Sequence, residues 1–180
     1  MSKVFFEETQ YFRENRWIVW LVTIFSFCAT LPFLYGLYWQ LVQHEPWGDK
    51  PMTDNELIVT SLLVFLSMLL VMWIILSVKL EVKIDEQGVQ YRFFPNRIRW
   101  KLIPKESIAS YEIKTTRSIF ASGGLGYQHN YFKKLKSMTI QGGAHLLLHL
   151  NNGQHILIGT QQHHELERTM KKLTEASEND

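Results

Sequence analysis

The apolar positions follow two regimes that change at residue 78. Before it they are continuous. Trp17 to Gln43 is 27 residues without Asp, Glu, Lys, Arg or His, and Leu57 to Val78 is another 22. An α-helix rises about 1.5 Å per residue and the hydrocarbon core of a bilayer is about 30 Å thick, so about 20 apolar residues suffice to cross it. Buried helices of a soluble bundle would carry a polar stripe with a period of about 3.6 residues. Thr23, Ser26, Thr30 and Gln40 make only a thin one, and Ser61 and Ser67 do not line up. Both runs are therefore expected to span a membrane.

Flanking residues fit that expectation. Trp17 and Trp20 mark one interface of the first run, and Tyr35, Tyr38 and Trp39 the other. Such rings favour the headgroup level. Pro32 removes a backbone donor and predicts a kink near residues 28–32. Pro46, Gly48 and Pro51 break the chain between the runs. Thr53 can then cap a second helix while Glu56 reaches back to it, with Met52 and Leu57 at the staple positions. The spans should form an antiparallel hairpin joined by residues 44–56. A cleaved signal peptide does not fit, because Glu7, Glu8 and Glu14 precede the first run and no small-residue cleavage site follows it.

After Val78 the period becomes two. Leu80, Val82 and Ile84 alternate with charged residues, which predicts a half-buried strand over 79–85. Further strands are expected over 89–94, 97–103 and 108–115, with turns at Glu86-Gln87-Gly88 and Pro95-Asn96. Residues 116–135 read as a long irregular stretch rich in glycine and aromatics. A short strand over 136–141 follows. Strands over 144–150 and 154–159 form a hairpin around Asn151-Asn152-Gly153. A three-residue loop there puts Leu146, Leu148, Ile156 and Ile158 on the core face and sets His149 opposite His155 on the other. Leu166, Met170 and Leu173 give a final helix over 161–176. The expectation is seven strands in a curled antiparallel sheet or barrel, closed by a C-terminal helix.

Composition changes the picture by its asymmetry. Residues 1–78 carry 4 basic and 7 acidic side chains, and residues 79–180 carry 15 and 10. This excludes one uniform soluble globule and a disordered chain. A single cysteine, Cys28, excludes an intrachain disulfide framework. The connecting loop has Lys50 against Glu45, Asp49, Asp54 and Glu56, whereas Lys3, Arg13, Arg16, Lys79 and Lys83 flank the far ends. The positive-inside rule then places the loop outside and both termini in the cytoplasm. The chain divides into an N-terminal cytoplasmic segment (1–16), a first transmembrane helix (17–43), an external loop (44–56), a second transmembrane helix (57–78), a cytoplasmic domain (79–176) and a tail (177–180). The aromatic-rich first segment suits either an interfacial stretch or an inward extension of the first helix.

Arg99-Trp100-Lys101-Leu102-Ile103-Pro104 followed by Ile108-Ala109-Ser110-Tyr111-Glu112, the run Gly123-Gly124-Leu125-Gly126, and Gly153-Gln154-His155-Ile156-Leu157-Ile158-Gly159-Thr160-Gln161 together form a recognisable set. So does the acidic loop Glu45-Pro46-Trp47-Gly48-Asp49-Lys50-Pro51-Met52. They resemble motifs of bacterial membrane proteins with two N-terminal transmembrane helices and a C-terminal PH-like domain. In that group an aromatic stands where this chain has Leu125. The resemblance covers nearly the whole chain and implies a fold and a topology. It transfers no catalytic residue.

Chemistry-bearing constellations are sparse. A phosphate loop needs a strand before it and a helix after it, and Tyr127-Gln128-His129-Asn130 after the glycine run shows no helix pattern and no Gly-Lys-Ser/Thr. His145, His149, His155, His163 and His164 suggest zinc, but His145 falls about 13 Å along the strand from His149, too far to share an ion. No nucleophile, paired-carboxylate or metalloprotease pattern is present. No cofactor, metal or catalytic role is therefore expected. Basic residues carry more information: Arg97, Arg99 and Lys101 in one group, and Lys133, Lys134 and Lys136 in another. These are the candidate contacts for anionic lipid headgroups or a partner. The expected function is a membrane-anchored, non-catalytic binding or scaffolding protein that works beside a membrane protein partner or as a homo-oligomer. A membrane enzyme or an accessory subunit of a transporter is the alternative. Nucleic acid is not an expected partner, since the excess charge is modest and no nucleic-acid motif occurs.

Overall fold

A computed structural model describes residues 3–116, 125–132, 134–141 and 143–178, with backbone alone at 116 and 174–178. The chain forms two compact units, Asn15–Ser77 and the combination of Met1–Glu14 with Val78–Asp180.

The first unit is a helical pair. Helix α1 spans Arg16–Leu37, runs through Pro32, and continues into a π-helical turn at Tyr38–Val42. Helix α2 spans Asp54–Ser77. The capping box expected at its start is formed: the Thr53 N–H donates to Glu56 Oε2 at 2.9 Å, and the Glu56 N–H faces Thr53 Oγ1 at 3.4 Å. Both helices are long and apolar enough to cross a membrane, and only 6% of each most apolar window is buried. A core helix of a soluble domain would be mostly covered; these present apolar side chains outward.

The second unit is an α+β domain. Four strands form one sheet in the order β1-β2-β3-β4: β1 Val4–Tyr11, β2 Lys79–Asp85, β3 Gly88–Phe94 and β4 Arg97–Pro104. The other sheet uses β5 Ile108–Thr116, β6 Gly126–Asn130, β7 Leu135–Thr139, β8 Gly143–Leu150 and β9 His155–Thr160, in the order β5-β8-β9-β7-β6. Helix α3 covers His163–Glu178. One core joins both sheets to α3: Phe6, Leu80, Ile84, Tyr91, Ile103, Leu146, Leu148, Ile156 and Ile158 pack with Leu166, Met170 and Leu173.

Three expectations are corrected. Nine strands are present among the described residues, not seven, and they make two sheets rather than a closed barrel. Strand β6 lies in the stretch expected to be irregular, and β7 pairs with β9 in parallel. The segment before α1 is not an inward extension of that helix over Val4–Tyr11. It is an edge strand paired antiparallel with β2, from Val4↔Asp85 to Tyr11↔Lys79. The reason it escapes the pattern is its buried face, which carries Phe6, Glu8 and Gln10. Two of those are polar, so no apolar alternation appears. Gly123 and Gly124 lie outside the described residues. The β8–β9 register is as expected, with His149↔His155 and Gly153 at φ +73° in the loop.

Polar side chains of β1 are satisfied by the other sheet. Glu8, 5% exposed, accepts hydrogen bonds from Thr160 Oγ1 at 2.6 Å, from the Gln161 N–H at 2.8 Å and from Gln10 Nε2 at 3.0 Å. Gln10 Nε2 also donates to the Gly159 carbonyl at 2.8 Å. The Phe12 N–H extends the β1–β2 ladder by donating to the Val78 carbonyl at 3.0 Å. The domain is thus interrupted in sequence: its first strand precedes α1, its second follows α2, and both breaks sit side by side.

Candidate functional site

Strands β4 and β6 are each an outer strand of their sheet. The β3–β4 and β6–β7 hairpins meet through an aromatic pair. The rings of Phe93 and Tyr127 lie 6.1 Å apart. Register sets Lys101 opposite Tyr91, Arg97 opposite Phe93, and Lys136 opposite His129. The result is a cationic group of Lys101, Lys136 and Arg97. Partial burial, followed by repulsion from Lys136 and Arg97, pushes the Lys101 ammonium below its ordinary pKa. Tyr91 sits beneath the group, and burial raises its phenol to about 12.

Of the sequence-level candidates, Arg97, Lys101 and Lys136 are brought together. Arg99 is exposed on the same strand, and Lys134 is exposed in the β6–β7 turn at φ +46°. Lys133 lies outside the described residues. None of the five described has an acidic partner within 4 Å among the described residues. Three cations elsewhere on the domain are matched: Lys83 with Glu7 at 2.8 Å, Lys114 with Glu112 at 2.7 Å, and Arg92 with Glu81, Nη2 to Oε1 at 2.7 Å. Arg92 also lies over the Trp100 ring at 4.8 Å, and Lys83 lies over it at 5.1 Å. Arg92, basic in sequence, is therefore not part of the unpaired group.

The β3–β4 turn has a defined address. Lys79 pairs with Phe94, so the turn occupies the end of the sheet at which the chain arrives from α2 and leaves for α1. Strands are spaced by about 4.8 Å, which places Arg97 roughly 10 Å across the sheet from Lys79. Ile98, 68% exposed, projects from this hairpin between Arg97 and Arg99.

The histidines form no ligand set. His149 and His155 meet through their Nδ1 atoms at 2.8 Å, and His149 Nε2 is 3.6 Å from Glu112. His145 is 1% exposed, and burial lowers its pKa. No group of three or more His, Cys, Asp or Glu able to hold a metal occurs among the described residues. Sequence reasoning missed Tyr91 and Tyr127 as parts of the seam because it had no strand β6 to carry the second ring. No protein family, curated protein or solved structure matches the chain.

Proposed function

We propose that the chain is a membrane-anchored, non-catalytic binding module. Its PH-like domain is interrupted by a two-helix membrane hairpin, and it contacts anionic headgroups through the basic β3–β4 hairpin and the seam beside it. The carrying observation is the cationic group of Arg97, Lys101 and Lys136, which has no acidic partner within 4 Å among the described residues. Like charges gathered without a carboxylate repel one another, and an anion relieves that repulsion. The helices supply the anchor. The β1–β2 ladder cannot form across a bilayer, which supports an even number of crossings and both termini on one side. Charge asymmetry around the loop makes that side the cytoplasm. A sandwich of two small sheets closed by a C-terminal helix supports the PH-like reading. The tether end of the sheet carries Arg97, Ile98 and Arg99, and each cation near an anionic surface contributes about 1 kcal/mol.

The test uses the full chain with Ile98→Cys on a Cys28→Ser background, labelled with an environment-sensitive fluorophore and reconstituted in vesicles. Brominated phosphatidylglycerol should quench the label more than brominated phosphatidylcholine. The difference should vanish near 1 M salt, where the screening length is about 3 Å. It should shrink in Lys101→Gln/Lys136→Gln. Equal quenching by the two lipids at low salt would refute headgroup contact and leave the charge as a topology signal, with a protein partner in the same membrane as the surviving reading.

A further inference from the structure

The connection between α1 and α2 builds a second, unrelated feature. At the end of α1 the helix widens into the π turn, and His44 takes φ +58°. The chain then doubles back, with the Glu45 N–H donating to the Trp39 carbonyl at 3.2 Å. Trp47 is laid onto α1 at Gly36. A Cβ on that glycine would meet Trp47 Cε3 at 2.5 Å, so only glycine admits the ring there. The ring also leans on Phe33, with centroids 6.4 Å apart. Tyr35 and Trp39 stand nearly perpendicular to each other, 68° between planes and 5.9 Å between centroids. Between these groups is a cleft of about 180 Å³ lined by Tyr35, Trp39, Glu45, Pro46, Trp47 and Gly48.

An interfacial aromatic belt accounts for Tyr35, which is 52% exposed, but not for Trp39 and Trp47. Belt residues project from the helix surface, as Trp17, Trp20 and Trp73 do at 74%, 64% and 62% exposure. Trp39 and Trp47 are instead half-buried, and Trp47 is returned to the helix by the loop. Two aromatic walls at a steep angle, with a third ring and a carboxylate in the same lining, match the needs of an organic cation. The ring faces carry negative potential, and the acid supplies a full charge. The cleft is far larger than the roughly 30 Å³ of one water. The loop around it holds Glu45 and Asp49 against Lys50.

We infer that the cleft of Tyr35, Trp39, Trp47 and Glu45 is a binding site for a quaternary ammonium group. The source is either the choline headgroup of a lipid or a free cation of the same chemistry. The site is independent of the basic seam and of the function proposed for it.

The experiment uses the full chain in a maltoside detergent, with saturation-transfer NMR on the methyl signals of choline and tetramethylammonium. Both should bind saturably. The neutral isostere 3,3-dimethyl-1-butanol should bind at least about tenfold more weakly, because it lacks the charge that the ring faces attract. Glu45→Gln and Trp47→Ala should each weaken choline by about fivefold or more, whereas Trp73→Ala, remote in sequence on α2, should not. Circular dichroism checks that the helices survive in every variant. Weaker free-choline binding in phosphatidylcholine nanodiscs than in phosphatidylglycerol nanodiscs assigns the site to the lipid headgroup; equal binding assigns it to a free cation. Equal affinity for the neutral isostere, or no saturable binding of either cation, would overturn the inference.

Discussion

Glu8→Ala is the sharpest perturbation of the domain, because it acts on a residue that precedes α1 and is read out in elements that follow α2. Glu8 is buried and holds three donors: Thr160 Oγ1, the Gln161 N–H and Gln10 Nε2. Truncation leaves the Thr160 hydroxyl and the Gln161 amide without that acceptor, while Gln10 keeps the Gly159 carbonyl. Hydrogen bonds to a charged group contribute about 1.5–3 kcal/mol each, and relief of the carboxylate's own desolvation offsets part of the two lost. The net expectation is about 3 kcal/mol. For a domain of this size that lowers the unfolding midpoint by roughly 10 °C or more. Glu8→Gln keeps one carbonyl acceptor and should lose about half as much. Glu7→Ala is the internal control. Its side chain is 53% exposed and pairs with Lys83 across the same ladder, an interaction typically below about 1 kcal/mol. Thermal unfolding of the full chain in detergent, with hydrogen exchange at β2 and at the β9–α3 junction, reads both. If Glu8→Ala and Glu7→Ala agree within about 0.5 kcal/mol, the first strand is not part of the sheet, and the two-sheet account fails with it.

Three further outcomes follow from the same geometry. Replacing residues 13–77 by Asn-Gly should give a water-soluble folded domain, since Tyr11 already faces Lys79 and the dipeptide suits a tight hairpin; an aggregated product with no exchange protection in β2 would contradict this. Leu148→Asp should unfold the domain by putting a charge at a fully buried position, and Leu147→Asp, on the opposite face, should be milder; equal damage by circular dichroism would mean the β8 register is wrong. The Arg92 guanidinium holds the Glu81 carboxyl below its ordinary value of 4.5, so its stabilising contribution is complete above that value and is lost as pH falls through the lowered one. Glu81→Gln should flatten that part of the acid limb, and an unchanged limb in urea titrations across pH 2–6 would show the pair to be inert.

Legibility in sequence followed the physics of each element. Long charge-free runs and strict alternation at Leu80, Val82 and Ile84 are strong signals, and the helices, β2 and the β8–β9 register were readable from them. The Thr53–Glu56 box was readable because capping is local. Strand β1 was not, since what its buried face uses is hydrogen bonding by Glu8 and Gln10 to residues about 150 positions away. Strand β6 was hidden for a related reason: it is a half-exposed edge strand whose apolar contribution to the core is Tyr127 alone. Of the basic residues, sequence grouped Arg97 with Lys101 by proximity along the chain. It could not group either with Lys136, because that juxtaposition depends on the β3–β4 and β6–β7 hairpins of different sheets.

The most direct test of the whole account is sided labelling of three single-cysteine variants, Lys3→Cys, Gly48→Cys and Glu178→Cys, on a Cys28→Ser background in intact cells. A membrane-impermeant maleimide should reach position 48 from outside. Positions 3 and 178 should react only after permeabilisation, because one hydrogen-bonded domain holds both on the same side, which the proposed topology makes the cytoplasmic one. Labelling of position 3 and position 178 from opposite sides of the membrane would contradict the shared sheet and the anchored module built on it.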